Sequence, residues 1–147
     1  MRSCFAPSTL AFSQTIAVVD ANFPADAISR KTVHSQVVLL QGASLPEALE
    51  AIATHLPIES VDEEGVVVML PPSDLELPPL GVEVHSDGME ALRATCGPEC
   101  TVTTELRRDE FYERARDAYA IVQCGERRPY GNFLLTCGMI GPDGREF

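Results

Sequence analysis

The chain has 147 residues, the length of one domain; 45% are apolar, enough for a core, and 22% are charged, which argues against disorder. Eleven Lys and Arg against 22 Asp and Glu leave a formal charge of −11, a field that repels nucleic-acid phosphates and anionic membrane surfaces, so neither is expected as a partner. Apolar runs such as Val66 to Leu70 fall far short of the roughly 20 residues that a membrane-spanning helix needs.

Residues 1–17 are apolar with a single Arg, but Pro7, Ser8, Thr9, Ser13, Gln14 and Thr15 interrupt any secretory h-region. The five cysteines are odd in number and sparse, and Cys96-x3-Cys100 has no second pair at zinc spacing. They read as reduced, buried or half-buried thiols of a cytoplasmic protein. Residues 15–20 form a short β-branched run ended by Asp20, Asn22 and Pro24, which predicts a buried strand and then a turn. Residues 36–40 predict a second strand, closed by Gly42. Ser44 and Glu47 have capping-box spacing, Pro46 fits a first turn, and Leu45, Ala48, Leu49 and Ile52 give residues 45–55 one apolar helical face.

Residues 66–70 predict a third strand, cut by Pro71-Pro72, and the proline-rich stretch 71–79 a surface loop. Val82 and Val84 around Glu83 read as a short extended piece. Asp87 then caps a helix over 88–96, with Met89, Leu92 and Cys96 on its inner face and Gly97-Pro98 at its end. Residues 101–106 alternate as a fourth strand. Asp109 caps a helix over 110–117 that turns Phe111, Ala115 and Ala118 inward. Residues 119–123 and 133–137 are the fifth and sixth strands, joined by the turn 125–131. Strands alternating with helices predict an α/β fold, a single-domain sheet of about six strands with helices packed on it.

Two separated stretches carry more than composition. Residues 108–138 include Phe111-Tyr112-Glu113-Arg114-Ala115, Gly125-Glu126, Tyr130-Gly131-Asn132 and Leu134-Leu135; residues 19–25 read Val-Asp-Ala-Asn-Phe-Pro-Ala. This pattern resembles the RbsD/FucU sugar mutarotase family: an FYERA-like helix, a strand, then GE-x3-YGN and an aliphatic pair, with a strand-then-DANFPA turn upstream. Residues 44–52 resemble the family's leucine-rich helix. The resemblance covers residues 16–140, before which residues 1–15 form a divergent segment and after which 141–147 form a tail. The FYER form is similar to the fucose branch. It implies mutarotation, the interconversion of α and β anomers of a monosaccharide, L-fucose first and ribose as the alternative. It also implies a symmetric homo-oligomer. Ring opening and closure move only protons, so positioned acids and bases suffice and no metal or cofactor is expected.

Asp20 reads from the residues alone either as a turn cap or as a ligand-facing carboxylate at a strand end; the resemblance implies the latter. Tyr112 lies about 100° around the helix from Phe111, so it can point away from the core. A phenol with a pKa of about 10 needs a neighbouring cation to act as a base. Arg108, one turn earlier, is the candidate, with Arg107 as competitor. Tyr130-Gly131-Asn132 reads either as a plain turn or as a ligand clamp, with Gly131 permitting close backbone approach and Asn132 offering donor and acceptor. The resemblance implies the clamp, and more loosely places Glu59 at an acidic position of the fucose branch. Asp20 and Tyr112 are thus the expected proton-handling pair, with Arg108, Tyr130, Gly131, Asn132 and Glu59 holding the sugar.

One departure stands out. The family carries a Gly-His-Gly-Asp segment before the first strand, its His the general acid, and here Ala11-Phe12-Ser13-Gln14 occupies that register. Phe12 cannot donate a proton. Either an upstream reading frame supplies the segment, or the chain is an impaired homologue that still binds sugar. His34, His55 and His85 read as exposed or partly buried bystanders.

Overall fold

The computed structural model describes residues 13–58, 65–72 and 80–138. Among them run β1 (Ser13–Val19), α1 (Ala25–Ser29), β2 (Val37–Leu40), α2 (Leu45–His55), β3 (Val66–Met69), α3 (Leu80–Cys96), β4 (Thr104–Leu106), α4 (Arg108–Arg116), β5 (Ala120–Cys124) and β6 (Phe133–Gly138). The strands form one sheet in the order β2-β5-β1-β6-β3-β4. β1 and β2 pair parallel with β5, and β3 pairs parallel with β4. β6 alone runs against its neighbours, antiparallel to both β1 and β3.

The sheet is covered on both faces, which is why its strands are continuous apolar runs rather than alternating ones. Val18, Val66, Val68, Phe133 and Leu135 face α2 and α3 through Leu45, Ala48, Leu49, Val84, Met89 and Leu92. Ala17, Val19, Val67, Met69, Ile121 and Leu134 face α1 and α4 through Ala25, Ile28, Phe111 and Ala115. Successive strand residues thus enter opposite layers, as a two-residue period requires.

The six expected strands and the helix over 45–55 are present, with ends shifted by up to three residues. The Ser44–Glu47 capping box forms, Glu47 N–H to Ser44 Oγ at 3.3 Å and Ser44 N–H to Glu47 Oε1 at 2.9 Å. Three readings need correction. α1 occupies part of what reads as a turn. α4 starts at Arg108, so Asp109 lies inside its first turn instead of capping it.

The largest correction concerns α3, which begins at Leu80: residues 82–84 are helical, not extended, and Asp87 caps nothing. The stripe of Met89 and Leu92 continues back through Gly88 and Val84. Gly88 reads as a helix breaker, yet a Cβ there would stand 2.8 Å from the Phe133 ring, so close helix–sheet packing selects glycine over propensity. Asp87 instead accepts a hydrogen bond from Arg128 Nη1 at 2.7 Å. Phe12, most of the proline-rich loop and Glu59 lie outside the described residues, as does Cys4. Cys100, Cys124 and Cys137 are buried thiols, and Cys96 is half-buried. None of the described helices is long and apolar enough to cross a membrane.

Candidate functional site

The strand order builds the site. β5 and β6 are consecutive in sequence but not neighbours, because β1 lies between them. The segment joining them therefore crosses the carboxyl end of β1, and Val18 pairs with Phe133 at that end. Asp20, the first residue after β1, ends up beneath this crossing. Ala21 N–H donates to the Glu126 carbonyl at 2.8 Å. Gly131 N–H donates to Asp20 Oδ2 at 3.2 Å and Asn22 N–H to Oδ1 at 3.0 Å. Asp20 N–H in turn donates to Asn132 Oδ1 at 2.9 Å. The turn reading of Asp20 holds: one oxygen accepts from Asn22 N–H within the turn, and the other ties the turn to the Gly131 backbone.

Asp20 is only 3% exposed. Burial pushes its carboxyl above the ordinary range, and the neighbouring Glu126 adds to this, while the backbone N–H groups of Asn22, Gly131 and Phe23 pull the other way. Gln123, at the end of β5, stiffens the turn by donating from Nε2 to the carbonyls of Asp20 and Phe23, both at 3.0 Å.

Tyr112 comes to the same place from α4. Phe111 beside it is fully buried, whereas Tyr112 is half-buried and stands edge-on to Phe23, with ring centroids 5.2 Å apart. Arg108, exposed at the start of α4, does favour the phenolate, but burial outweighs it and Asp20 opposes it, so the Tyr112 hydroxyl lies above its ordinary range. The phenol therefore remains protonated near neutrality. Arg108 alone does not bring it into the range of a base.

Tyr130 and Asn132 also differ in detail from what their residue types suggest. The left-handed backbone of this loop belongs to Tyr130 (φ 63°), not to Gly131. For an aromatic residue that conformation costs on the order of 1–3 kcal/mol and persists only where neighbours hold it. Gly131 is small for packing: a Cβ would come within 3.1 Å of Val84 and 3.3 Å of Glu126. Asn132 is buried, with its oxygen on Asp20 N–H and its amide nitrogen 3.5 Å from Met69 Sδ. It fixes Asp20 rather than standing free in a pocket.

Behind the crossing, Glu126 is buried and bound on both oxygens. Oε1 accepts from Leu45 N–H at 3.1 Å, at the start of α2, and Oε2 from Arg128 Nε at 3.0 Å. Burial alone would raise this carboxyl, but the Arg128 guanidinium and the Leu45 amide together hold it below its ordinary value. Arg128 reaches on to Asp87 on α3. Sequence reasoning assigned no part to Glu126, Gln123 or His85. His85 carries a readable signal once α3 is extended: with Met89 and Leu92 it falls at helical spacing, a polar side chain on the apolar stripe. His34 and His55 are exposed. Among the described residues, no group of three or more His, Cys, Asp or Glu side chains is placed to hold a metal ion.

The profile of the RbsD / FucU transport protein family matches residues 8–140. The chain belongs to the RbsD/FucU family. Fucose mutarotase of Danio rerio is 34% identical over 128 residues, covering 87% of this chain and 80% of that protein. Fucose mutarotase of Homo sapiens is 33% identical, covering 92% and 86%. Among solved structures, the fucose mutarotase of Streptococcus pneumoniae in complex with L-fucose superimposes with a TM-score of 0.67 at 27% identity, over 92% of this chain and 94% of that one. In this RbsD/FucU chain, then, the two stretches that carry the resemblance are the two brought together at the carboxyl end of β1, where Asp20 meets Asn132, 112 positions further along the chain.

Proposed function

We propose that this chain is a fucose-type mutarotase that interconverts the α and β anomers of a monosaccharide, L-fucose first. The observation that carries the reading is the convergence of an acceptor-competent buried carboxylate, Asp20, and a protonated phenol, Tyr112, beneath the Tyr130–Asn132 crossing. Its kinship with fucose mutarotases supports the same reading.

Mutarotation asks for one proton to leave the anomeric hydroxyl and one to reach the ring oxygen. Asp20 accepts the first; its raised affinity for protons brings it nearer the optimum of a general base at neutral pH. Tyr112 donates the second as the bond between C1 and the ring oxygen breaks. The aldehyde turns about its C1–C2 bond. Ring closure on the other face returns both protons, and nothing is consumed. Arg108 stabilises charge developing at the phenol, and the Tyr130-Gly131-Asn132 backbone fixes the sugar against Asp20. Glu59 enters only through the family resemblance, as a further hydroxyl acceptor.

A second reading rests on Phe12 in the register of the family's acid: a homologue that binds monosaccharide but barely accelerates anomer exchange. Saturation-transfer NMR on equilibrated L-fucose, with D-ribose in parallel, separates the two. Exchange between anomeric proton signals that rises in proportion to protein concentration supports the mutarotase. Calorimetric binding without faster exchange supports the homologue, and absence of both overturns each reading.

A further inference from the structure

His85 stands outside the residues discussed so far as sugar-handling, yet it is tied to them by one peptide unit. It lies half-buried on α3, edge-on to Phe133 with centroids 5.9 Å apart. Its Nε2 is 2.7 Å from the carbonyl oxygen of Tyr130. A carbonyl only accepts, so Nε2 carries a proton and donates. The same peptide plane continues into Gly131 N–H, which donates to Asp20 Oδ2 at 3.2 Å. The plane is thus held at both ends, imidazole on its oxygen and carboxylate on its N–H. Each bond polarises the amide in the sense that strengthens the other. Rotation of the plane, through ψ of Tyr130 and φ of Gly131, would break both bonds.

We infer that His85 is a positioning residue for Asp20 and Tyr130, fixing the 130–131 peptide so that its N–H stays on the Asp20 carboxylate. The inference rests on the reading of Asp20 as the proton acceptor, but its central claim concerns hydrogen bonding and is testable without catalysis. Without His85 the plane turns, Asp20 loses a donor that favours its charged form, and its proton affinity increases. Glu126, Tyr112 and Cys124 also face Asp20, and Glu105 and Tyr130 face His85; none of these is altered by the substitutions below. Glutamine places an N–H donor the same number of bonds from the backbone as histidine Nε2, whereas leucine and methionine have none.

The test follows the Asp20 side-chain carboxyl carbon by NMR against pH in the full chain. In His85→Leu its proton affinity is expected to rise about tenfold, with His85→Gln restoring the wild-type curve. The acid limb of fucose anomer exchange should move in step. His85→Met carries the comparison if the leucine variant does not fold. Identical Asp20 titrations in wild type and both donor-less variants overturn the role of His85, whatever the activity. Wild-type protein that leaves anomer exchange unchanged counts against the mutarotase reading instead, and the Asp20 titration still decides on His85.

Discussion

At the scale of single residues, Asp20 and Tyr112 have opposite duties set by the same cause. Burial raises both, so the carboxyl becomes a better proton acceptor and the phenol stays a donor. Tyr112→Phe keeps the edge contact with Phe23 while removing the hydroxyl, and anomer exchange should fall by about 10²-fold with little change in unfolding midpoint. Asp20→Asn should lower exchange by at least as much. Its stability at pH 7 should stay within about 1 kcal/mol of wild type, because losing an acceptor for one backbone N–H is offset by losing a buried charge. The sign follows from linkage. A carboxyl raised in the folded state favours the fold while protonated, and that contribution is lost as pH rises through the folded value. Urea titrations of both proteins at pH 4 and pH 7 check it: relative to Asp20→Asn, the wild type should be more stable at the lower pH.

At the scale of elements, residues whose local pattern and tertiary setting agree were legible in the sequence. Ser44 and Glu47 announced the start of α2 because capping is settled within four residues. Ser44→Ala should accordingly cost about 1 kcal/mol in urea unfolding. Phe111 and Ala115 likewise announced the inner face of α4, and both are fully buried, as is Ala118 just beyond the helix end. The start of α3 was not legible, since Gly88 reads as a break and Val82-Glu83-Val84 as alternation. What overrides both is the Phe133 ring of β6, 45 residues away, which needs the missing Cβ. Gly88→Ala tests this. Helix propensity alone would stabilise it by about 1 kcal/mol, whereas overpacking against a buried ring costs about 1–3 kcal/mol. Net destabilisation of about 1 kcal/mol by chemical denaturation is expected, and stabilisation would show that the ring yields freely.

At the scale of the molecule, no local signal says that β1 lies between β5 and β6, so the meeting of Asp20 with residues 130–132 could come from the sequence only by family resemblance. The physical device that holds this meeting is the Glu126–Arg128 pair, which fastens the crossing segment to the start of α2 and, through Asp87, to α3. Glu126→Gln removes the charged partner of Arg128 Nε but leaves the guanidinium its Asp87 contact, so the loss should be that of a charge-assisted hydrogen bond, about 2 kcal/mol at pH 7. Glu83, more than half exposed and 3.6 Å from Arg128, should cost less than about 0.5 kcal/mol when changed to Gln. The acid behaviour separates this strut from ordinary packing. Glu126 is held below its ordinary carboxyl value, so its contribution is fully present above the unfolded value of 4.5 and is lost as pH falls through the folded one. Wild type and Glu126→Gln should therefore differ widely in denaturant midpoint at pH 7 and converge at low pH, once the wild-type carboxyl takes up its proton. Because Ala21 N–H binds the Glu126 carbonyl and Asp20 binds Gly131 N–H, loosening the strut should also loosen the site: in Glu126→Gln, hydrogen exchange at the Ala21 and Gly131 amides should accelerate together, ahead of the β1–β6 ladder. If those two amides exchange no faster than the ladder, the crossing is held by the sheet alone and the pair serves only α2.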